Sequence, residues 1–211
     1  MSVTQPAAAQ LTRGAILAGG AASRFGGRAK GLETVGGERI LDRTIRVVQD
    51  AVGELPLLVA NADDAKDWID GAVIVKDVIP NCGSLGGIYS AVSQSRDPVL
   101  IAAWDMPFLT LDLLKALIAG ATGFDVFLPE SNGPLGFEPL CGIYDPACAE
   151  PIKAALDDED FRTTSFHEQV RVSTLPLSDV KTFGDPDMLF FNVNTPSDVA
   201  KAEKLWQTQS A

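Results

Sequence analysis

This chain of 211 residues has little histidine, little cysteine and no net positive charge: it carries one histidine, three cysteines and a formal net charge of −11. That surplus of negative charge argues against nucleic acid or an anionic membrane surface as the main partner. Cys82, Cys141 and Cys148 are odd in number and lack Cys-x-x-Cys spacing, so neither a disulfide framework nor a zinc site is indicated, and buried thiols in a reducing compartment are expected. His167 has no serine elbow or thiol partner near it in the sequence and reads as structural. No apolar run reaches the length needed to span a bilayer, and residues 1–10 lack the basic flank and apolar stretch of a secretory signal. A cytoplasmic location is therefore expected. Two common phosphate motifs are missing as well. Lys30 lies between Ala29 and Gly31, which is not a Walker loop, and no set of glycines supplies the dinucleotide pattern G-x-G-x-x-G.

What is present is concentrated near the start. Ala15 to Ala18 form a short apolar run suited to a parallel strand covered on both faces, and Gly19 and Gly20 follow it directly. Glycines there let the backbone turn tightly and approach a ligand, and exposed N–H groups in such a turn cradle anions. Arg24, Arg28 and Lys30 come next, where a triphosphate needs its charge neutralised. Over residues 13–46 there are seven cations (Arg13, Arg24, Arg28, Lys30, Arg39, Arg43 and Arg46) against Glu33, Glu38 and Asp42. An acidic chain thus offers a local attractor for an anionic ligand. The length allows one sizeable core, so a single domain over 13–211 is expected, preceded by a disordered or loosely attached tail over 1–12.

Along the rest of the chain, helical spacing of Ile40, Leu41, Ile45, Val48 and Val52 predicts a helix over 40–52. A strand over 55–60 ends at Asn61, and one over 72–75 ends near Asp77, where the strands of doubly wound sheets meet ligands. Between them a polar helix is expected over 63–69. A second glycine-bearing loop spans 77–87, including Gly83, and leads into a helix over 87–94. The most apolar strand, 98–103, delivers Asp105, a carboxylate well placed for Mg²⁺, which takes oxygen ligands. Thr110 caps a helix over 111–119. Two further strands, 125–129 and 139–144, flank a turn-rich stretch, 130–137, suited to a lid or acceptor loop. Pro146 opens a helix to 156, and the acidic run 157–160 reads as a solvated linker. A helix over 162–170, a strand over 172–177 and a final helix to 206, capped by Thr195 and opened by Pro196, complete the chain. Asn192 and Asn194 precede that cap and are not explained by it. Alternating strands and helices with polar residues at strand ends give an α/β, three-layer fold with a mostly parallel, Rossmann-like sheet.

Leu17-Ala18-Gly19-Gly20, Ser23-Arg24-Phe25-Gly26 and Lys30 resemble the signature of the molybdenum cofactor guanylyltransferases. The resemblance runs from Ala15 to Asp198 and keeps the family's motif order. It implies a Rossmann-like nucleotidyltransferase with Asp105 as the magnesium aspartate, Gly83 and its neighbours in the base pocket, and Asn192 and Asn194 beside the active site. Three positions depart from the family pattern: Ala29 where aspartate is usual, Ser84 where proline is usual, and Glu138, on the acceptor side, where glutamine is usual.

The reaction so implied is attack by the terminal phosphate of molybdopterin, or of the molybdenum cofactor, on the α-phosphorus of GTP with loss of pyrophosphate. Lys30, Asp105 and Arg24 are its expected catalytic residues, and Leu17, Ala18, Gly19, Gly20, Lys30, Asn61, Asp77, Gly83 and Asp105 its nucleotide contacts. Asp77 offers an acceptor to guanine's donor edge, and N–H groups of the Leu17 to Gly20 turn would meet O6. Molybdoenzyme-maturation proteins are the macromolecular partners the resemblance suggests, with a monomer or weak homo-oligomer as the expected state. Two other readings stay open here: a sister transferase using CTP with the molybdenum cofactor, or another NTP with a sugar or alcohol phosphate, and a nucleotide-binding module without turnover.

Overall fold

The computed structural model describes residues 11–19 and 30–209. In chain order the elements are β1 (Arg13–Leu17), β2 (Thr34–Val35), β3 (Glu38–Arg39), α1 (Ile40–Val52), β4 (Leu57–Val59), β5 (Ile74–Val75), α2 (Gly83–Val92), β6 (Val99–Ala103), α3 (Leu111–Gly120), β7 (Val126–Pro129), β8 (Cys141–Tyr144), α4 (Ala149–Asp157), β9 (Val172–Leu175), α5 (Leu177–Val180), α6 (Pro186–Leu189) and α7 (Pro196–Gln209). Among the described residues, seven strands form one sheet in the order β5-β4-β1-β6-β8-β7-β9, and β2 with β3 forms a separate ribbon. β8 runs antiparallel to both of its neighbours, and every other pairing in the large sheet is parallel.

Period-two alternation splits the strands between two cores. Ile16 and Ala18 join Leu58, Leu100 and Ala102 beneath α1 and α3, whereas Ala15 and Leu17 join Val59, Val99 and Ile101 beneath α2 and α4. Both faces of the central strands are therefore covered, which is why they read as continuous apolar runs. A third, smaller cluster of Val35, Ile40, Phe108, Val193 and Ala202 packs α7 on the β2–β3 ribbon. Helix α1 has the expected bounds, and Gly53 closes it in the left-handed conformation, φ 84°, its N–H donating to Gln49.

Several expected elements differ. The helix over 63–69 is only a 3-10 turn, Ala65–Asp67, because just Ala65 and Trp68 anchor it and so short a segment cannot offset helix nucleation. Helix α2 begins four residues before the expected start. Its glycines suggested a loop, yet they admit close packing: Gly87 lies on Leu17, and a Cβ on Gly86 would come within 2.8 Å of Cys82 Cβ. Around His167 there is a 3-10 turn, His167–Gln169, rather than a helix over 162–170. Ser165 there turns its hydroxyl onto the Arg162 carbonyl, a local bond that competes with helix. Phe166 is fully buried and His167 packs edge-on against it, with burial lowering the imidazole pKa. β9 stops at Leu175 because Pro176 opens α5. The three cysteines are buried free thiols; burial pushes Cys148 up to about 12 and Cys141 higher than its ordinary value, so neither is a ready nucleophile. No helix among the described residues is long and apolar enough to cross a membrane.

Gly142 in β8 is closely enclosed: an added Cβ would lie 2.9 Å from the Phe127 carbonyl oxygen and against the Leu128 side chain. Backbone cannot yield as a flexible side chain does, so Gly142→Ala is expected to destabilise the fold by about 1–3 kcal/mol. Urea titration checks this, and an unchanged midpoint would contradict it.

Candidate functional site

The sheet changes direction of growth beside β1. From β1 the chain adds β4 and then β5 on one side before returning to place β6 on the other. Ligands of open α/β sheets bind at the carboxyl ends of the strands at such a switch. Lys30, in the 3-10 turn Lys30–Leu32, reaches across this point from the β1 side, and Asp105 stands just beyond β6. The Lys30 ammonium forms an ion pair with Asp105 Oδ2 and donates to Asn194 Oδ1 at 2.8 Å. The three residues come from parts of the chain 75 and 164 positions apart.

Each member is held by its own backbone. The Trp104 N–H donates to the Leu17 carbonyl at 3.2 Å, extending the β1–β6 pairing to the residue before Asp105. The Asp105 carbonyl accepts from Val193 N at 2.9 Å, which ties the Asn192 to Asn194 stretch to the same edge. Asn194 is fixed by Asp198: its N–H donates to Asp198 Oδ2 at 3.1 Å, the Thr195 hydroxyl donates to the same oxygen at 2.8 Å, and Thr195 accepts from the Asp198 N–H at 3.3 Å. This is a capping arrangement in which Asp198, in the first turn of α7, also holds the residue before the cap. Its sequence signal, Thr-Pro-Ser-Asp, was visible, but the grip on Asn194 was not. Burial raises the Asp198 pKa, yet Thr195, the Asn194 N–H and Lys201 together bring it below the usual carboxylate value.

A second cluster lies at the ends of β4 and β5. Asn61 Nδ2 donates to Asp77 Oδ2 at 2.6 Å while Asp77 N donates to Asn61 Oδ1 at 2.9 Å, so each side chain orients the other. Gly83, φ 59°, starts α2 beside them, with open space where a Cβ would stand. Strands about 4.8 Å apart put the end of β4 roughly 10 Å from that of β6, a separation suited to a nucleotide laid from base to phosphates.

Glu138 reaches the first cluster because β8 is reversed. Its first residues meet the last of β6, with Ala103 N donating to Leu140 O at 2.9 Å. Burial holds the Glu138 carboxyl above its ordinary pKa, the Leu140 N–H opposes this, and the charge of Asp105 adds to it. Asn192 instead turns its amide onto the Phe190 carbonyl at 3.0 Å.

Some expected contacts change. The Ala18 N–H is engaged by the Val59 carbonyl at 2.8 Å, and the Leu17 side chain packs on Gly87, so donors of that turn to a ligand begin at Gly19. Gly20, Arg24 and Arg28 lie outside the described residues. Four of the cations counted as an anion attractor are committed elsewhere: Arg13 to Glu54, Arg39 to Asp42, and both Arg43 and Arg46 to Glu38. Lys30 is engaged too, by Asp105 and Asn194, at the carboxyl edge of the sheet.

The donor set suits a divalent cation. Asp105 and Asn194 present oxygens, the ligands hard cations take, and a positive group already sits between them in the form of the Lys30 ammonium.

Residues 14–172 match the family model described as MobA-like NTP transferase domain. A molybdenum cofactor guanylyltransferase of Desulfosudis oleivorans is 32% identical over 193 residues, covering 90% of this chain and 93% of its own. One from Nitrobacter hamburgensis is 33% identical over 207 residues, covering 92% and 94%. Among solved structures, molybdopterin-guanine dinucleotide biosynthesis protein A from Archaeoglobus fulgidus superposes with a TM-score of 0.77 at 23% identity, covering 93% of this chain and 99% of that one, a likeness of fold.

Asp198 gives the site its most direct stability test. Asp198→Ala removes the acceptor for Asn194 and Thr195, and losses of this kind are about 0.5–2 kcal/mol. Because the native pKa is lowered, this contribution is complete above the ordinary carboxylate pKa and disappears as pH falls through the native one. Urea midpoints of parent and variant should therefore differ at neutral pH and converge in acid; coincidence at neutral pH would contradict the assignment.

Proposed function

The chain belongs to the MobA-like NTP transferase family, and from that premise we propose that it transfers GMP from GTP to the terminal phosphate of molybdopterin, forming the guanine dinucleotide form of the cofactor. An oxygen of the acceptor phosphate forms a bond to the α-phosphorus as the bond from that phosphorus to the bridging oxygen breaks, and pyrophosphate leaves. The acceptor is itself the nucleophile, so the protein needs no covalent intermediate. What it supplies is alignment and charge neutralisation. The observation that carries this reading is the Lys30 ammonium set between Asp105 and Asn194 at the point where the sheet reverses its growth.

Asp105 and Asn194 would hold Mg²⁺, which when bound would supply charge neutralisation for the phosphates. Lys30, released from Asp105, stabilises the charge that grows on the phosphates during transfer. Arg24 holds the pyrophosphate, with the turn at Gly19 and Gly20 giving backbone donors. Asp77, oriented by Asn61, accepts from the N1–H and N2–H₂ edge of guanine, and Gly83 leaves room for the base. Glu138 faces the acceptor, as do residues 130–137 and Asn192. Residues 13–211 act as one catalytic unit in the cytoplasm, as a monomer or weak homo-oligomer that hands its product to molybdoenzyme-maturation proteins. The guanylyltransferase names of the relatives favour GTP over CTP, and they favour turnover over binding alone.

Pyrophosphate release with molybdopterin and each of GTP, CTP and ATP tests this. GTP should support the fastest transfer, and Asp105→Asn should nearly abolish it while the circular dichroism spectrum is retained. A pocket group left unpaired by the wrong base is worth about 1–3 kcal/mol, so Asp77→Ala should reduce the GTP-to-CTP preference by roughly tenfold or more. Transfer best supported by CTP would overturn the guanine assignment, and full activity in Asp105→Asn would remove Asp105 from the mechanism.

A further inference from the structure

The pair at the centre of the site is flanked, one residue away on each side, by a contact between a glycine and an indole. Gly31 follows Lys30 and Trp104 precedes Asp105. Gly31 is buried, and a Cβ built on it would lie 2.7 Å from Trp104 Cδ2, closer still to Cε3, and 3.1 Å from Cζ3. Its backbone lies outside the left-handed region, so no conformational demand calls for glycine here. Space alone does, and the ring occupies it.

The ring cannot easily retreat. Trp104 is 4% exposed and stacks on Trp68, with ring centroids 5.3 Å apart and planes 20° from parallel. Trp68 is buried too, and its carbonyl accepts from Arg39 Nη2 at 3.0 Å. Neither indole N–H has a hydrogen-bond partner among the described residues. A buried donor without an acceptor is unfavourable by about 1–3 kcal/mol, a penalty that leucine or phenylalanine would avoid while still filling an apolar space. What an indole offers over them is a wide, flat and rigid slab.

We propose that Trp104, braced by Trp68, is a spacer that sets the distance from Lys30 to Asp105, and that Gly31 and Trp104 are positioning residues of the catalytic pair. This rests on the transferase reading for its kinetic consequence, though its geometric consequence does not. A Cβ at Gly31 must move most of an ångström or more to reach ordinary contact near 3.4 Å. The turn Lys30–Leu32 moves with it, because Glu33 N–H closes that turn on the Lys30 carbonyl at 3.2 Å. A displacement of about 1 Å at a reacting centre can reduce rate by roughly 100-fold.

The test is a cycle of Gly31→Ala, Trp104→Leu and the double variant, read by crystal structure and by kinetics. In Gly31→Ala the Lys30 Nζ to Asp105 separation should lengthen and kcat should fall by roughly 10- to 100-fold, with the GTP KM changed far less. Trp104→Leu opens the space the new methyl needs, so the double variant should regain at least about tenfold in kcat over Gly31→Ala and restore the separation. A merely structural contact would lower the melting temperature of Gly31→Ala without changing kcat per folded molecule, and that result would overturn the proposal. So would additive effects of the two substitutions, or a Lys30–Asp105 separation unchanged in Gly31→Ala. If the parent protein transfers no nucleotide, the transferase reading fails, while the separations in the crystal structures still decide for or against the spacer.

Discussion

The arrangement depends on one half-buried cation shared by two oxygens. Lys30 is held by Asp105 and Asn194, with side-chain exposures of 17% for the lysine and 8% for the aspartate. Taking such charges out of water is unfavourable unless geometry and extra hydrogen bonds compensate. Here the amide oxygen of Asn194 supplies the second acceptor, and the lysine serves as counterion to a carboxylate that would otherwise be buried alone. Removing either charge therefore leaves the other unmatched.

Much of the fold can be understood as bringing those three residues together. β1 and β6 lie side by side, so the chain segments leaving them start as neighbours. The third comes from the far end of the chain, where α7 is tied both to Asn194 and to the β2–β3 ribbon. At its start, Asp198 grips Asn194. Further along, Glu203 accepts the Gly36 N–H at 2.7 Å and Trp206 covers Gly36, while the Arg43 guanidinium lies 3.8 Å above the Trp206 ring. Helix α7 thus clamps the β2–β3 ribbon that follows Lys30 and presents Asn194 to Lys30, fixing two sides of the same site. The reversed strand β8 provides the fourth wall by starting where β6 stops, which brings Glu138 to Asp105.

How much of this was legible in the chain follows from the range of the interactions. Helix α1 could be read to the residue because its apolar positions repeat at helical spacing and Gly53 ends it. Thr110 and Pro196 announced their helices through local capping chemistry, and the apolar run before Trp104 announced β6. The start of α2 was hidden because Gly83, Gly86 and Gly87 have low helix propensity, and only the packing of Gly86 on Cys82 and of Gly87 on Leu17, set by the tertiary fold, makes the latter two useful. Strand direction left no local trace in 139–144, so the placement of Glu138 was not derivable from pattern. Charge counting misled for a related reason: Arg13, Arg39, Arg43 and Arg46 look like an anion site in sequence, but carboxylates near in space already engage them. Asp105 and Lys30 stand out in the sequence because strand ends and glycine turns mark ligand edges. That they meet each other was not visible.

The central claim is that the Lys30 ammonium occupies, in the free protein, the position a divalent cation takes between Asp105 and Asn194. Mn²⁺ binding to the nucleotide-free protein, measured by electron paramagnetic resonance, tests it directly. Lys30→Met removes the internal competitor, so the account predicts tighter Mn²⁺ binding in that variant than in the parent, abolished when Asp105→Asn is added. Mn²⁺ binding that is unchanged or weaker in Lys30→Met would contradict it.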